Sequence, residues 1–115
     1  MALHHASSGE IVDLGPLGPA LRQARTTALV KTDSFEAIRL VLKAGEELPA
    51  HTVSREFMLH CIEGRVGIEI ADASLELTAQ KWVYFDGGIA HALRAVEDSS
   101  LLLTIMLPST GVGQA

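Results

Sequence analysis

The chain has 115 residues, a formal net charge of −5, 48% hydrophobic residues and one cysteine, Cys61. That length suits one domain with its own core, and a lone cysteine rules out an intrachain disulfide, as in a reducing cytoplasm. No run reaches the ~18 apolar residues of a membrane helix. The start, MALHHASSGE, lacks the basic and apolar regions of a signal peptide, and the scattered basic residues form no stripe for nucleic acid. A cytoplasmic protein is expected, with no membrane or nucleic-acid partner.

In chain order, the first dozen residues are small and polar and are expected to be poorly ordered. Residues 1–25 form an N-terminal arm, partly disordered, ahead of a β-domain over 26–115. Within the arm, Gly15, Pro16, Gly18 and Pro19 break the chain. Pro19 opens a short helix through Ala24, where its missing N–H costs nothing. Strands follow. TTALVK is one, and FEAIRLVLK is another, with Ile38, Leu40 and Leu42 on one face. His51 falls in the loop after Gly45. FMLHCI then ends at Glu63-Gly64, a hairpin turn into RVGIEI. After a turn at Ala71 to Ala73 come SLELT and KWVYF, then the Asp86-Gly87-Gly88 turn. HALRAV leads through EDSS into LLLTIML, with Leu101, Leu103, Ile105 and Leu107 in register.

Seven or so short strands with almost no helix indicate a β-sandwich or small barrel. Several strands are apolar on both faces, which a sheet with one solvated face does not need. A homodimer packing sheet to sheet is therefore expected.

The glycines and histidines carry a recognisable arrangement. Gly45 is followed after five residues by His51, Gly64 lies thirteen residues beyond His51, and Gly88 is followed after two residues by His91. This resembles the two motifs of the cupin superfamily, G-x5-H-x-H-x3,4-E-x6-G and G-x5-P-x-G-x2-H-x3-N. More closely, the chain is similar to the family's small single-domain bacterial members. The resemblance covers about Thr26 to Leu107 and implies an all-β double-stranded β-helix, or jelly-roll barrel. It also implies a divalent metal (Fe, Zn, Ni or Mn) and a small-molecule ligand in the barrel. Of the four positions that bind metal in cupins, His51 and His91 match. Val53 replaces the second histidine and Phe57 the glutamate, while Gln80, Asp86 and Ala95 depart elsewhere in the second motif.

Catalytic zinc usually has three protein ligands, and non-haem iron has two histidines and a carboxylate. A third donor is therefore sought. His60 is one candidate and Glu56, near His51, another. Strand parity sets His60 opposite Phe57, so with Phe57 inward His60 points out; a bulge near Arg55-Glu56 would reverse this. His4 and His5 read as tail. Cys61 reads as buried packing, and Phe57, Trp82, Tyr84 and Phe85 as mostly core. Arg39 and Arg94 are expected to pair with Glu36 or Glu69. Three functional classes remain: a metal-dependent cupin enzyme, a metal-free small-molecule binding or sensor module, and a structural dimer with a vestigial site.

Overall fold

The structure is a computed structural model describing residues 4–108. Among them are nine strands: β1 (Thr27–Lys31), β2 (Phe35–Leu42), β3 (Glu47–His51), β4 (Phe57–Glu63), β5 (Arg65–Ile70), β6 (Ala73–Thr78), β7 (Trp82–Phe85), β8 (His91–Ala95) and β9 (Ser99–Met106). They form two antiparallel sheets, one in the order β1-β2-β9-β4-β7 and the other β3-β8-β5-β6. Two such sheets facing each other are the all-β jelly-roll architecture expected from the sequence.

Alternation builds the interior. Leu40 and Leu42 of β2, Phe57, Leu59 and Cys61 of β4 and Leu101 of β9 face Val66 and Ile68 of β5, Leu77 of β6 and Leu93 and Ala95 of β8. Each residue type suits a pleated, buried surface, and the side-chain period of two places the alternate residues outside. Parity on β4 is thereby settled. Phe57, Leu59 and Cys61 are buried, while Met58, His60 and Ile62 lie on the outer face. Burial pushes the Cys61 thiol pKa up, and its Sγ faces the carbonyls of Glu63 and Gly64, so it serves packing.

The arm has structure of its own. Its expected helix is a short 3-10 segment, Gly18–Gln23, with Pro19 at its start. Ahead of it, the Ala6 amide donates to the carbonyl of Leu29 on the edge strand β1 at 2.8 Å, and Leu14 and Pro16 stand beside His60 and Ile62 on the outer face of the five-stranded sheet. Of the segment expected to be poorly ordered, residues 1–3 lie outside the described residues, as do 109–115 of the β-domain. The Leu17 and Gly18 amides donate to the Glu63 carboxylate at 2.8 and 3.1 Å, and the Ser100 hydroxyl donates to it at 2.6 Å. Burial works against the Glu63 charge, but these bonds and the Arg39 guanidinium outweigh it and hold its pKa below the ordinary value.

Three expectations need correcting. Arg39 pairs with Glu63 (3.9 Å) and donates to the Gly15 carbonyl, while Arg94 pairs with Glu47 (3.1 Å). Neither uses Glu36 or Glu69, because their outward side chains meet the arm and a neighbouring edge strand. Trp82 and Tyr84 are 59% and 54% exposed; on β7 it is Val83 and Phe85 that turn inward. His51 ends a strand, β3, and not a loop.

Candidate functional site: a histidine pair on an aromatic wall

Two loops bring the histidines together. His51 ends β3 and His91 opens β8, and the two are direct partners in the β3–β8 ladder. The loops flanking them are clipped to each other, with the Gly88 amide donating to the Val53 carbonyl at 2.8 Å. Gly87 has to be glycine for this approach, since a Cβ there would sit 2.6 Å from Arg55 Cα.

The rings form a continuous column across the interior. Phe85 and Phe57 are cross-strand partners on the five-stranded sheet, with ring centroids 5.0 Å apart. Phe57 stacks on His91 of the opposite sheet at 4.1 Å, and His91 lies 4.3 Å from His51. Phe57 is 1% exposed and His91 4%, whereas His51 is exposed. The column therefore runs from core to surface, ending in two imidazoles.

Hydrogen bonding fixes the chemistry of those rings. His51 Nδ1 lies 3.3 Å from the Pro49 carbonyl and His91 Nδ1 3.2 Å from the Ile89 carbonyl. A carbonyl can only accept, so each Nδ1 carries the proton and donates it. In the neutral ring this leaves the lone pair on Nε2, and among the described residues neither Nε2 has a hydrogen-bond partner. Burial pushes the His91 pKa below the ordinary histidine value. The Ile89 carbonyl opposes this shift and the nearby His51 adds to it. His91 is thus neutral, with a free base nitrogen, at neutral pH.

That shift has a consequence for stability. The unfolded chain binds a proton on His91 more readily than the folded one, so stability falls as pH drops below about 6.5 toward the folded pKa, and is fully present above it. Thermal melts between pH 8 and 5 are expected to show this acid-side loss in the wild type and a flatter profile in His91→Gln. An identical slope in both would assign the effect to another group.

The other candidate ligands stand elsewhere. His60 is on β4 opposite the side that carries Phe57, facing away from the pair. Glu56 accepts from Arg55 Nε at 3.2 Å on the surface. Its own backbone amide and the Arg55 charge keep its carboxyl pKa below the usual value. Among the described residues no group of three or more His, Cys, Asp or Glu side chains is placed to hold a metal ion. Sequence reasoning did not anticipate the Phe85–Phe57 half of the column as a wall for His91; the signal was the inward parity of Phe57 itself. A groove of about 250 Å³ on the outer face of the four-stranded sheet, over Gly67 and Ala92, lies apart from the histidines, and its Arg94 is occupied by Glu47.

This two-sheet arrangement with paired histidines at one end of the interior is the double-stranded β-helix, and comparison with solved structures identifies it as the cupin fold. A conserved protein of unknown function from Streptococcus pyogenes matches with a TM-score of 0.72 at 21% identity, covering 94% of this chain and 96% of that one. A cupin superfamily protein from Desulfitobacterium hafniense matches at 0.71 and 13% identity, covering 86% and 100%. An RmlC-like cupin from Desulfovibrio desulfuricans matches at 0.66 and 23% identity, covering 89% and 97%. No protein-family model matches the sequence, and no curated protein matches it.

Proposed function

We propose that the protein is a small-molecule-binding cupin whose ligand is held at the His51/His91 pair, with a divalent cation joining the two imidazoles to the ligand. The observation that carries this reading is the engagement of both Nδ1 atoms by main-chain carbonyls. That bond fixes the tautomer and leaves Nε2 as the donor atom, the arrangement that metal-bound histidines use. A depressed His91 pKa supports it, because a neutral ring is the competent ligand.

The donor set fits a cation only in part. Two imidazoles supply fewer protein ligands than a catalytic zinc or non-haem iron site, so the remaining positions fall to water and the ligand. When bound, the cation would act as a Lewis acid toward a ligand oxygen. The chain's own part is to present the Nε2 atoms of His51 and His91 beside the apolar wall of Phe57 and Phe85. Imidazole donors without a carboxylate favour zinc and nickel over manganese.

Isothermal titration with Zn²⁺ and with Ni²⁺, on protein lacking the tail residues His4 and His5, tests the reading. The expected result is one ion per chain, with affinity at least about tenfold weaker in His91→Ala. Binding that survives His91→Ala, or no binding, would contradict it. A cation-free binding module is the second reading, favoured by Val53 and Phe57, which make two of the motif's ligand positions apolar.

A further inference from the structure

One cluster of polar groups clasps the arm to the barrel. Glu63, at the end of β4, is surrounded by donors: the Leu17 and Gly18 amides, the Ser100 hydroxyl of β9 and, at 3.9 Å, the Arg39 guanidinium of β2. Arg39 in turn donates to the Gly15 carbonyl. The Glu63 and Arg39 side chains are only 17% and 11% exposed. Away from this clasp the arm is lightly fastened. Leu21 is its one buried residue among the described residues, and Arg22, paired with Asp98 at 2.8 Å, lies largely in solvent, where such pairs contribute little. The hydrophobic core draws on β2, β4, β5, β6, β7, β8 and β9 and includes no buried residue of the arm.

The clasp is also incompletely satisfied. Arg39 Nε is buried without a hydrogen-bond partner, the one such side-chain nitrogen or oxygen among the described residues. Closing the arm thus takes an ion pair out of water without meeting all of its donors, and lifting the arm restores their hydration. We infer that residues 14–24 form a strap that opens and closes as a local unit while the barrel stays folded, with Glu63 as its catch. Leu14 and Pro16 make one wall of a groove of about 350 Å³, and His60, Ile62 and Gln80 line the rest. The closed strap therefore bounds this groove, and the open strap bares Ile62, Arg39 and Glu63 on the outer face of the five-stranded sheet.

The chemistry of the catch is specific. Every group aimed at the Glu63 carboxylate is a donor, so only a side chain that accepts at both of its polar atoms suits the position. Glutamine has the same length and shape but turns an NH2 group toward one of those donors. Glu63→Gln therefore removes a hydrogen bond and sets donor against donor, without changing the core, to which Glu63 does not belong.

Native-state hydrogen exchange of the full chain, followed by NMR, tests the strap first in the wild type. The Leu17, Gly18 and Ala24 amides, bonded to Glu63 and to the Leu21 carbonyl, are expected to be protected. They should nevertheless exchange at least about 100-fold faster than interior amides of β4 and β9, with little dependence on added denaturant, because a local opening exposes little surface. In Glu63→Gln the Leu17 and Gly18 amides should exchange at least about tenfold faster while those of β4 and β9 keep their rates. Arg22→Ala, which breaks only the exposed pair with Asp98, should change them less than about threefold. Wild-type arm amides that exchange at the core rate, with the core's denaturant dependence, would overturn the inference by tying the arm to global unfolding. Leu17 and Gly18 rates unchanged in Glu63→Gln would overturn Glu63 as the catch.

Discussion

Gly64→Ala is expected to unfold the protein or lower its melting temperature by about 15 °C or more, the effect of losing at least about 4 kcal/mol. Gly64 sits at φ +95° in the turn between β4 and β5, where a side chain is already strained. An added Cβ would also fall inside the van der Waals envelope of Ser99 Oγ and the Asp98 carbonyl, and 2.7 Å from Ser99 Cα. Ser99 cannot give way. It is fully buried, and its hydroxyl accepts from the Arg65 amide at 3.0 Å while facing the Glu97 carbonyl at 2.7 Å. Gly88 provides the control, with φ +82° and open space around its missing Cβ. Gly88→Ala should cost only the backbone term, about 1–2 kcal/mol. Similar melting temperatures for the two variants, measured by calorimetry, would show that the Ser99 approach is not what demands glycine at 64.

Phe57→Ala is the second large effect, about 3–5 kcal/mol. The ring is 1% exposed and touches both Phe85 and His91, so truncation leaves a cavity in the middle of the column. A second outcome separates its site role from simple core packing. Removing the ring lets water reach His91, so the His91 pKa should rise toward the ordinary histidine value, as burial is the main cause of its depression. Phe57→Leu keeps the site dry and should cost less, about 1–2 kcal/mol, with a smaller movement. Denaturant unfolding gives the stability difference and histidine NMR titration the pKa. A destabilised Phe57→Ala whose His91 titrates as in the wild type would show that Phe57 does not shield that ring.

Alternation made most of the fold legible. Ile38, Leu40 and Leu42, or Val66, Ile68 and Ile70, can line one face only as strands, and Gly64 and Gly87-Gly88 mark turns by their chemistry. β3 was hidden for a physical reason. It is an edge strand holding Pro49 with mostly exposed residues, so it has neither an apolar period nor a full set of ladder donors. KWVYF misled by composition, because its apolar residues occupy both faces and parity alone assigns Val83 and Phe85 inward. Partners far apart in sequence were out of reach. Nothing local to Arg39 announces Glu63 or Gly15, since the arm's path over the sheet brings them together. At the site, spacing singled out His51 and His91. The tautomer did not follow from spacing, because it depends on where the Pro49 and Ile89 carbonyls point.

The tautomers of those two rings are the most direct measure of the site. Long-range ¹H–¹⁵N correlation spectra of the wild-type protein at pH 7.5, assigned with His51→Ala and His91→Ala, report which ring nitrogen carries the proton. Both residues are expected as the Nδ1–H form, with the Nε2 resonances alone moving when Zn²⁺ is added. Protonated Nε2 atoms, or resonances indifferent to zinc, would contradict a metal-presenting pair and leave His51 and His91 as packing for the end of the barrel.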